Sequence, residues 1–140
     1  MTVYLDTSVV ASLFTTDVNT ARAAAWLAVT PRDLALSEWT LTEFSSALAI
    51  MERALRITAS ERLNAEAVFD GWLSRQRPAY PLAGGDALVA RGFIRAVARP
   101  LRAGDALHLA LVQRLNVSLG TFDIRMAAAA TDLGIPVEAI

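Results

Sequence analysis

Four acidic residues, Asp6, Glu43, Asp105 and Asp123, stand where short segments give way to helical ones. Asp6 closes the apolar run Val3-Tyr4-Leu5 and is followed by Thr7-Ser8. A buried strand that ends in a carboxylate and two hydroxyls puts its acid at the carboxyl edge of a sheet, where open α/β proteins bind ligands. Asp123 follows the run Val117-Ser118-Leu119 through a short loop containing Gly120 and Thr121, and Asp105 follows Gly104 at the head of an apolar segment. Brought to one edge, these acids would repel: at about 5 Å and an effective dielectric of about 20, one pair costs about 3 kcal/mol. Such a cluster needs a cation, and oxygen ligands favour Mg²⁺ or Mn²⁺. A divalent ion held this way can lower the pKa of bound water and brace a phosphodiester for in-line attack.

Each acid has a plainer reading beside the chemical one. Asp6, Asp105 and Asp123 all suit a helix N-cap. Thr40-Leu41-Thr42-Glu43 reads as a capping box, in which Glu43 would do no more than close a first turn. The helical wheel opposes that for Glu43. At about 100° per residue it falls on the broad side that carries Phe44, Ala47, Leu48, Ile50, Met51, Ala54 and Leu55. A glutamate turned inward needs a partner, because burying it bare is costly. Gly85-Asp86-Ala87-Leu88 repeats the string Gly104-Asp105-Ala106-Leu107, so the residues alone leave two candidates for the third acid. The helix behind Asp105 is the more apolar, which favours Asp105. His108, one turn further on, reads as a satisfied core residue or as a site residue.

The elements that must position these acids alternate. Strands are expected at 2–5, 34–36, 117–119 and 135–137, with a weak one at 79–82. Helices are expected at 7–15, 18–29, 39–55, 59–76, 84–98, 105–115 and 123–133. Pro31, Arg32 and Asp33 punctuate the chain, Thr58-Ala59-Ser60-Glu61 is a capping box, and Pro78 stops the helix that box opens. Short strands alternating with helices imply a mainly parallel sheet with helices on both faces, an α/β/α sandwich.

Composition excludes more than it assigns. The 140 residues suffice for one domain, and 54% hydrophobic with 19% charged residues is a folded composition. All 13 basic residues are arginine, which removes P-loop and Schiff-base lysine chemistry. With no cysteine, disulfides, thiolate metal sites and thiol nucleophiles are out as well. No apolar run is long enough for a bilayer and no secretory signal is visible, so the expected compartment is the cytoplasm, without membrane attachment.

Leu5-Asp6-Thr7-Ser8, the helix bearing Thr40 and Glu43, Gly104-Asp105-Ala106 with His108, and Leu119-Gly120-Thr121 with Asp123 together resemble the signature segments of PIN-domain ribonucleases. In length and layout the chain resembles the VapC-type toxins of type II toxin–antitoxin pairs. The resemblance covers residues 1–140 as a single PIN-like domain. It implies an Mg²⁺- or Mn²⁺-dependent endoribonuclease that cuts single-stranded regions of structured RNA, of the tRNA or rRNA class. It also implies a homodimer and inhibition by a cognate antitoxin protein. Asp6 and Asp105 would bind the metal most directly, with Glu43 and Asp123 bound directly or through water. Ser8 and Thr121 would support the site. The family pattern selects Asp105 over Asp86. It departs at Met126, where many members carry an aromatic residue.

RNA must also be held. Arg91, Arg95 and Arg99 recur every four residues, with Arg102 beyond, as either a solvated face or a phosphate rail leading to Asp105. Trp26, Trp39 and Trp72 read as core or interface residues before they read as base-stacking platforms. Two other functions compete. One is a catalytically inactive interaction module on the same fold, in which the acids are caps. The other is a phosphoacceptor or phosphatase using Asp6, which the absence of lysine disfavours.

Overall fold

The computed structural model describes residues 2–29 and 33–140; the expected break at Pro31 and Arg32 lies outside them. Strand β1 (Val3–Leu5) leads into helix α1 (Thr7–Phe14), then α2 (Thr20–Val29) and β2 (Leu34–Ala35). Helices α3 (Glu38–Arg53), α4 (Ala59–Leu73), α5 (Asp86–Ala96) and α6 (Ala103–Leu115) follow, then β3 (Ser118–Gly120), α7 (Ile124–Asp132) and β4 (Val137–Glu138). The sheet order is β2-β1-β3-β4 and every pairing is parallel. The α/β expectation holds. The weak strand at 79–82 reduces to one bridge, Tyr80 with Ser37.

β1 is the hub. It pairs on both sides, Val3 with Leu34 and with Ser118. Because side chains alternate along a strand, Val3 and Leu5 enter one layer and Tyr4 the other. On the first side they pack with Val9, Val10, Phe44, Leu48 and Phe69, from α1, α3 and α4. On the second side Tyr4 joins Leu109, Leu111, Val112, Met126 and Ala130, from α6 and α7. Helices on both faces of one parallel sheet give the three-layer sandwich. Among the described residues no helix is long and apolar enough to cross a membrane.

The caps explain where the helices start. Asp6 caps α1 through Val9 N, Asp123 caps α7 through Arg125 N and Met126 N, and Thr58 with Glu61 forms the expected capping box of α4. Two expectations fail. α3 is capped by Ser37, three residues before Thr40, so Thr40-x-x-Glu43 is not a capping box and Glu43 lies in the second turn. α6 begins at Ala103 after Arg102, so Asp105 sits inside the first turn and is not its N-cap. Ends shift as well: α4 stops at Leu73 and α5 at Ala96, before the boundaries at 76 and 98. The α5 stop has a clear cause, since Val97 is extended (φ −86°, ψ 138°).

Candidate active site

Asp6 sits at the end of β1 and is 3% exposed. A bare carboxylate there would be costly, and four donor contacts from three groups answer it. Ser8 Oγ lies 2.7 Å from Oδ1 and 3.0 Å from Oδ2, Thr121 Oγ1 donates to Oδ2 at 2.6 Å, and Val9 N donates to Oδ1 at 3.1 Å. Burial still holds the Asp6 pKa above its ordinary value, against the lowering by Thr121 and Ser8. The same hydroxyls knit the loop after β3 to β1: Phe122 N donates to Ser8 Oγ at 2.9 Å and Asp123 N to Thr121 Oγ1 at 2.9 Å. Ser8 and Thr121 therefore both hydrogen-bond the Asp6 carboxylate, a contact the sequence left open.

Glu43 reaches the same edge from α3. The buried stripe of that helix is Thr40, Phe44 and Leu48, narrower than the wheel implied. Ile50 and Leu55 of the expected inner side face solvent, and the Glu43 side chain, 29% exposed, lies at the stripe's border. Its Oε2 accepts from Thr7 Oγ1 at 2.7 Å and pairs with His108 Nε2 at 2.7 Å. Burial alone would raise the Glu43 pKa, but the His108 and Thr7 hydrogen bonds outweigh it and the net shift is downward. His108 is buried, and its other nitrogen meets Tyr4 OH at 2.8 Å.

Asp105 differs from the other three. No described residue hydrogen-bonds its carboxylate, whereas Asp123 Oδ1 accepts from Arg125 N and Met126 N. Its pKa is raised, first by burial, then by the charges of Asp123 and Glu43, with His108 and Arg102 pulling the other way. Asp105 and Asp123 line one cleft of about 450 Å³ together with Pro100, Arg102, Phe122, Ile124 and Arg125. Gly104 permits the approach from α3, since a Cβ there would meet Glu43 Oε1 at 2.8 Å. Asp86, by contrast, is bound by Arg114 Nε at 2.8 Å and caps Ala83 N at 2.8 Å. The echo of Asp105 at Asp86 is thus a structural pair.

The arginine rail does not survive as drawn. Arg99 lies past the end of α5 and is bound by Asp132, Nε to Oδ2 at 2.6 Å. Arg91 and Arg95 border a separate apolar groove with Trp39, Ala87, Ala90, Ile94 and Leu107. Arg102 alone of the four reaches the acidic cleft, where it is joined by Arg125, a residue the sequence did not single out. Nothing in its spacing marked Arg125; only its place two residues after Asp123 could have done so. Trp26 and Trp72 pack on the first core layer, so the aromatic of the cleft is Phe122.

A metal suits the donor chemistry of this edge, which is carboxylate and hydroxyl oxygen. Asp105, without a hydrogen-bond partner among the described residues, half-buried and beside two like charges, is the group a cation would relieve. As the side chains stand, no three His, Asp or Glu among the described residues close on one point.

Known proteins share this fold. The VapC20 toxin of Mycobacterium tuberculosis, described as cleaving the sarcin–ricin loop, superposes with a TM-score of 0.72 at 22% identity over 91% of this chain and 94% of its own. FitAcB from Neisseria gonorrhoeae gives 0.69 at 19% identity, covering 98% and 96% of the two chains. VapBC2 from Rickettsia felis, solved on a DNA fragment of its promoter, gives 0.70 at 14%, covering 99% and 98%. These similarities are ones of fold. No curated protein matches the sequence. The sequence model of the PIN domain matches residues 3–132, from the first residue of β1 to the last of α7, and the chain belongs to the PIN domain family.

Proposed function

We propose that this protein is an Mg²⁺- or Mn²⁺-dependent endoribonuclease of the VapC toxin type. The observation that carries the reading is Asp105, which has no hydrogen-bond partner among the described residues and whose pKa is raised first by burial and then by the charges of Asp123 and Glu43. Asp6 and Asp105 would hold the ion most directly, and Glu43 and Asp123 directly or through water. Bound there, a divalent ion supplies an acidified water and offsets charge on the phosphodiester.

The chain's own residues supply the rest. Ser8, Thr121 and Val9 N hold the Asp6 carboxylate in one orientation, so it does not swing away when a charge arrives. Thr7 and His108 keep Glu43 anionic. Arg102 and Arg125 flank Asp105 and Asp123 in the cleft and suit the phosphates on either side of a scissile bond, because guanidinium groups match phosphate geometry. Phe122 offers a ring at the same opening for an unstacked base. Single-stranded RNA satisfies these requirements, since its bases are free to splay.

The likeness to VapC20, described as cleaving the sarcin–ricin loop, supports an RNA substrate, and an RNA of the rRNA or tRNA class is the one proposed. The likeness to VapBC2 and FitAcB supports a cognate antitoxin as partner, and a homodimer and the cytoplasm complete the reading. Wild type and Asp6→Asn, prepared in parallel, should differ by at least about 100-fold in Mn²⁺-dependent cleavage of structured RNA. Equal cleavage by the two would reject the assignment, and no cleavage by either would favour a catalytically inactive interaction module.

A further inference from the structure

We propose that Tyr4 and His108 are positioning residues: a directed hydrogen-bond chain that grips Glu43 by one carboxylate oxygen and presents the other beside Asp105. The proposal rests on the nuclease reading of the acid cluster and adds to it Tyr4, which lies outside the four acidic segments, and a role for His108, which the third segment carries without one.

The direction of the chain is set at its acid end, where the Glu43 carboxylate accepts at Oε2, and the hydroxyl protons can be arranged to agree with it. Tyr4 OH lies 2.6 Å from Ser37 Oγ, 3.1 Å from Thr40 Oγ1 and 2.8 Å from His108 Nδ1. Thr40 N donates to Ser37 Oγ at 3.1 Å, and the Thr40 hydroxyl donates to the Leu5 carbonyl at 3.3 Å. The Ser37 proton is then free for the Tyr4 oxygen, and the Tyr4 proton is free for Nδ1. The Tyr4 phenol is fully buried, which disfavours its anion, so it remains a donor. An imidazole that accepts at Nδ1 carries its proton on Nε2, and Nε2 stands 2.7 Å from Glu43 Oε2. The opposite tautomer would set a lone pair against a carboxylate oxygen.

The consequence falls on Glu43. Its Oε2 takes both the His108 and the Thr7 protons, while Oε1 receives no hydrogen bond from any described residue. Oε1 lies against Gly104, the residue before Asp105, so tightly that a Cβ there would meet it at 2.8 Å. The chain thus runs from the middle of β1, through the start of α3 and the inner face of α6, to the acid edge. A merely satisfied core histidine needs no such termination. Here both ring nitrogens are committed to joining the sheet's centre to one oxygen of a site acid.

Three measurements decide the matter. The chain contains one histidine, so long-range ¹H–¹⁵N NMR of the RNA-free protein reads its tautomer without ambiguity, and the proton is expected on Nε2. Mn²⁺ titration of the RNA-free protein should show His108→Leu binding about 10-fold more weakly than wild type, since outer partners of metal ligands are commonly worth that much. His108→Gln, whose amide N–H can stand in for Nε2, should recover most of the loss. In cleavage assays the His108→Leu defect should fall on kcat and leave KM for RNA unchanged. Tyr4→Phe, which removes one oxygen and keeps the ring, should show a smaller loss of the same kind and serves as the test if His108→Leu does not fold. A proton on Nδ1, or wild-type Mn²⁺ affinity in both His108→Leu and Tyr4→Phe, would overturn the proposal. Should Asp6→Asn cleave RNA as well as wild type while the tautomer and Mn²⁺ results hold, the nuclease reading fails and the positioning chain stands.

Discussion

The same four residues, Gly-Asp-Ala-Leu, open α5 at Gly85 and α6 at Gly104, and they meet opposite fates. Asp86 is 3% exposed, and Arg114 reaches it with Nε on Oδ1 at 2.8 Å and Nη2 on Oδ2 at 3.1 Å. Asp105 has no hydrogen-bonding partner among the described residues and sits beside Asp123 and Glu43. Gly85 has open space where a Cβ would go, whereas Gly104 has Glu43 Oε1 at 2.8 Å. One copy is a closed ion pair that fastens a helix, and the other is an open charge at a cleft. A local string sets neither outcome; what packs against it does.

Substitutions at the two strings should part accordingly, and the widest separation is at the acids. Asp105→Asn should cost at least about 100-fold in Mn²⁺-dependent RNA cleavage without loss of stability. Asp86→Ala should do the reverse, lowering unfolding free energy by about 2 kcal/mol because it strands Arg114, with cleavage by the folded fraction near wild type. Chemical denaturation beside a cleavage assay separates these outcomes; loss of cleavage in both variants without loss of stability in Asp86→Ala would erase the distinction.

The glycines should differ by less. Gly104→Ala forces Glu43 Oε1 to move and is expected to lower cleavage about 10-fold. Gly85→Ala meets nothing and should leave both activity and stability within about 0.5 kcal/mol of wild type. Equal activity of the two alanine variants would argue that Glu43 has no fixed place in the reaction.

The arginines come next. Arg102→Ala, at the head of α6 in the acidic cleft, should weaken RNA binding a few-fold and flatten its salt dependence by about one unit of slope. Arg95→Ala, on α5 beside the apolar groove, should change that slope little. The converse pattern would restore the phosphate rail that the break at Val97 interrupts.

The smallest effect is in metal-free stability against pH. The folded-state pKa of Asp105 is raised above 3.8, so its charge opposes folding at pH values above that raised pKa. As pH falls through it, the folded protein takes up the proton first and the penalty is relieved, completely so only below 3.8. In chelator, Asp105→Asn should therefore be more stable than wild type at neutral pH by less than about 1 kcal/mol, because half-exposed charges are screened. The gap should close on acidification. A gap that is constant with pH would show that neither burial nor its acidic neighbours raise the Asp105 pKa.

Much of this was legible before the structure. Asp6 at the end of Val3–Leu5 and Asp123 after β3 need only strand alternation and turn residues to be placed. The inward lean of Glu43 was visible on the wheel, though the wheel overstated the buried side because Ile50 and Leu55 have nothing packed over them. Other features were out of reach because they depend on distant chain. His108 meets residues 65 and 104 positions away, so its helix alone reads as plain core. Arg114 silences Asp86 from 28 positions off. The α5 stop at Ala96 carries no glycine or proline signal of its own, and a period of four ran straight through it.

The claim that joins all of this is that the α6 string, and not its copy on α5, belongs to a cation site. Thermal unfolding with and without Mn²⁺ tests it directly, since a ligand that binds only the folded state raises Tm. Wild type and Asp86→Asn should both gain Tm on adding Mn²⁺, and Asp105→Asn should gain little or none. An equal gain in all three proteins, or no gain in wild type, would contradict it.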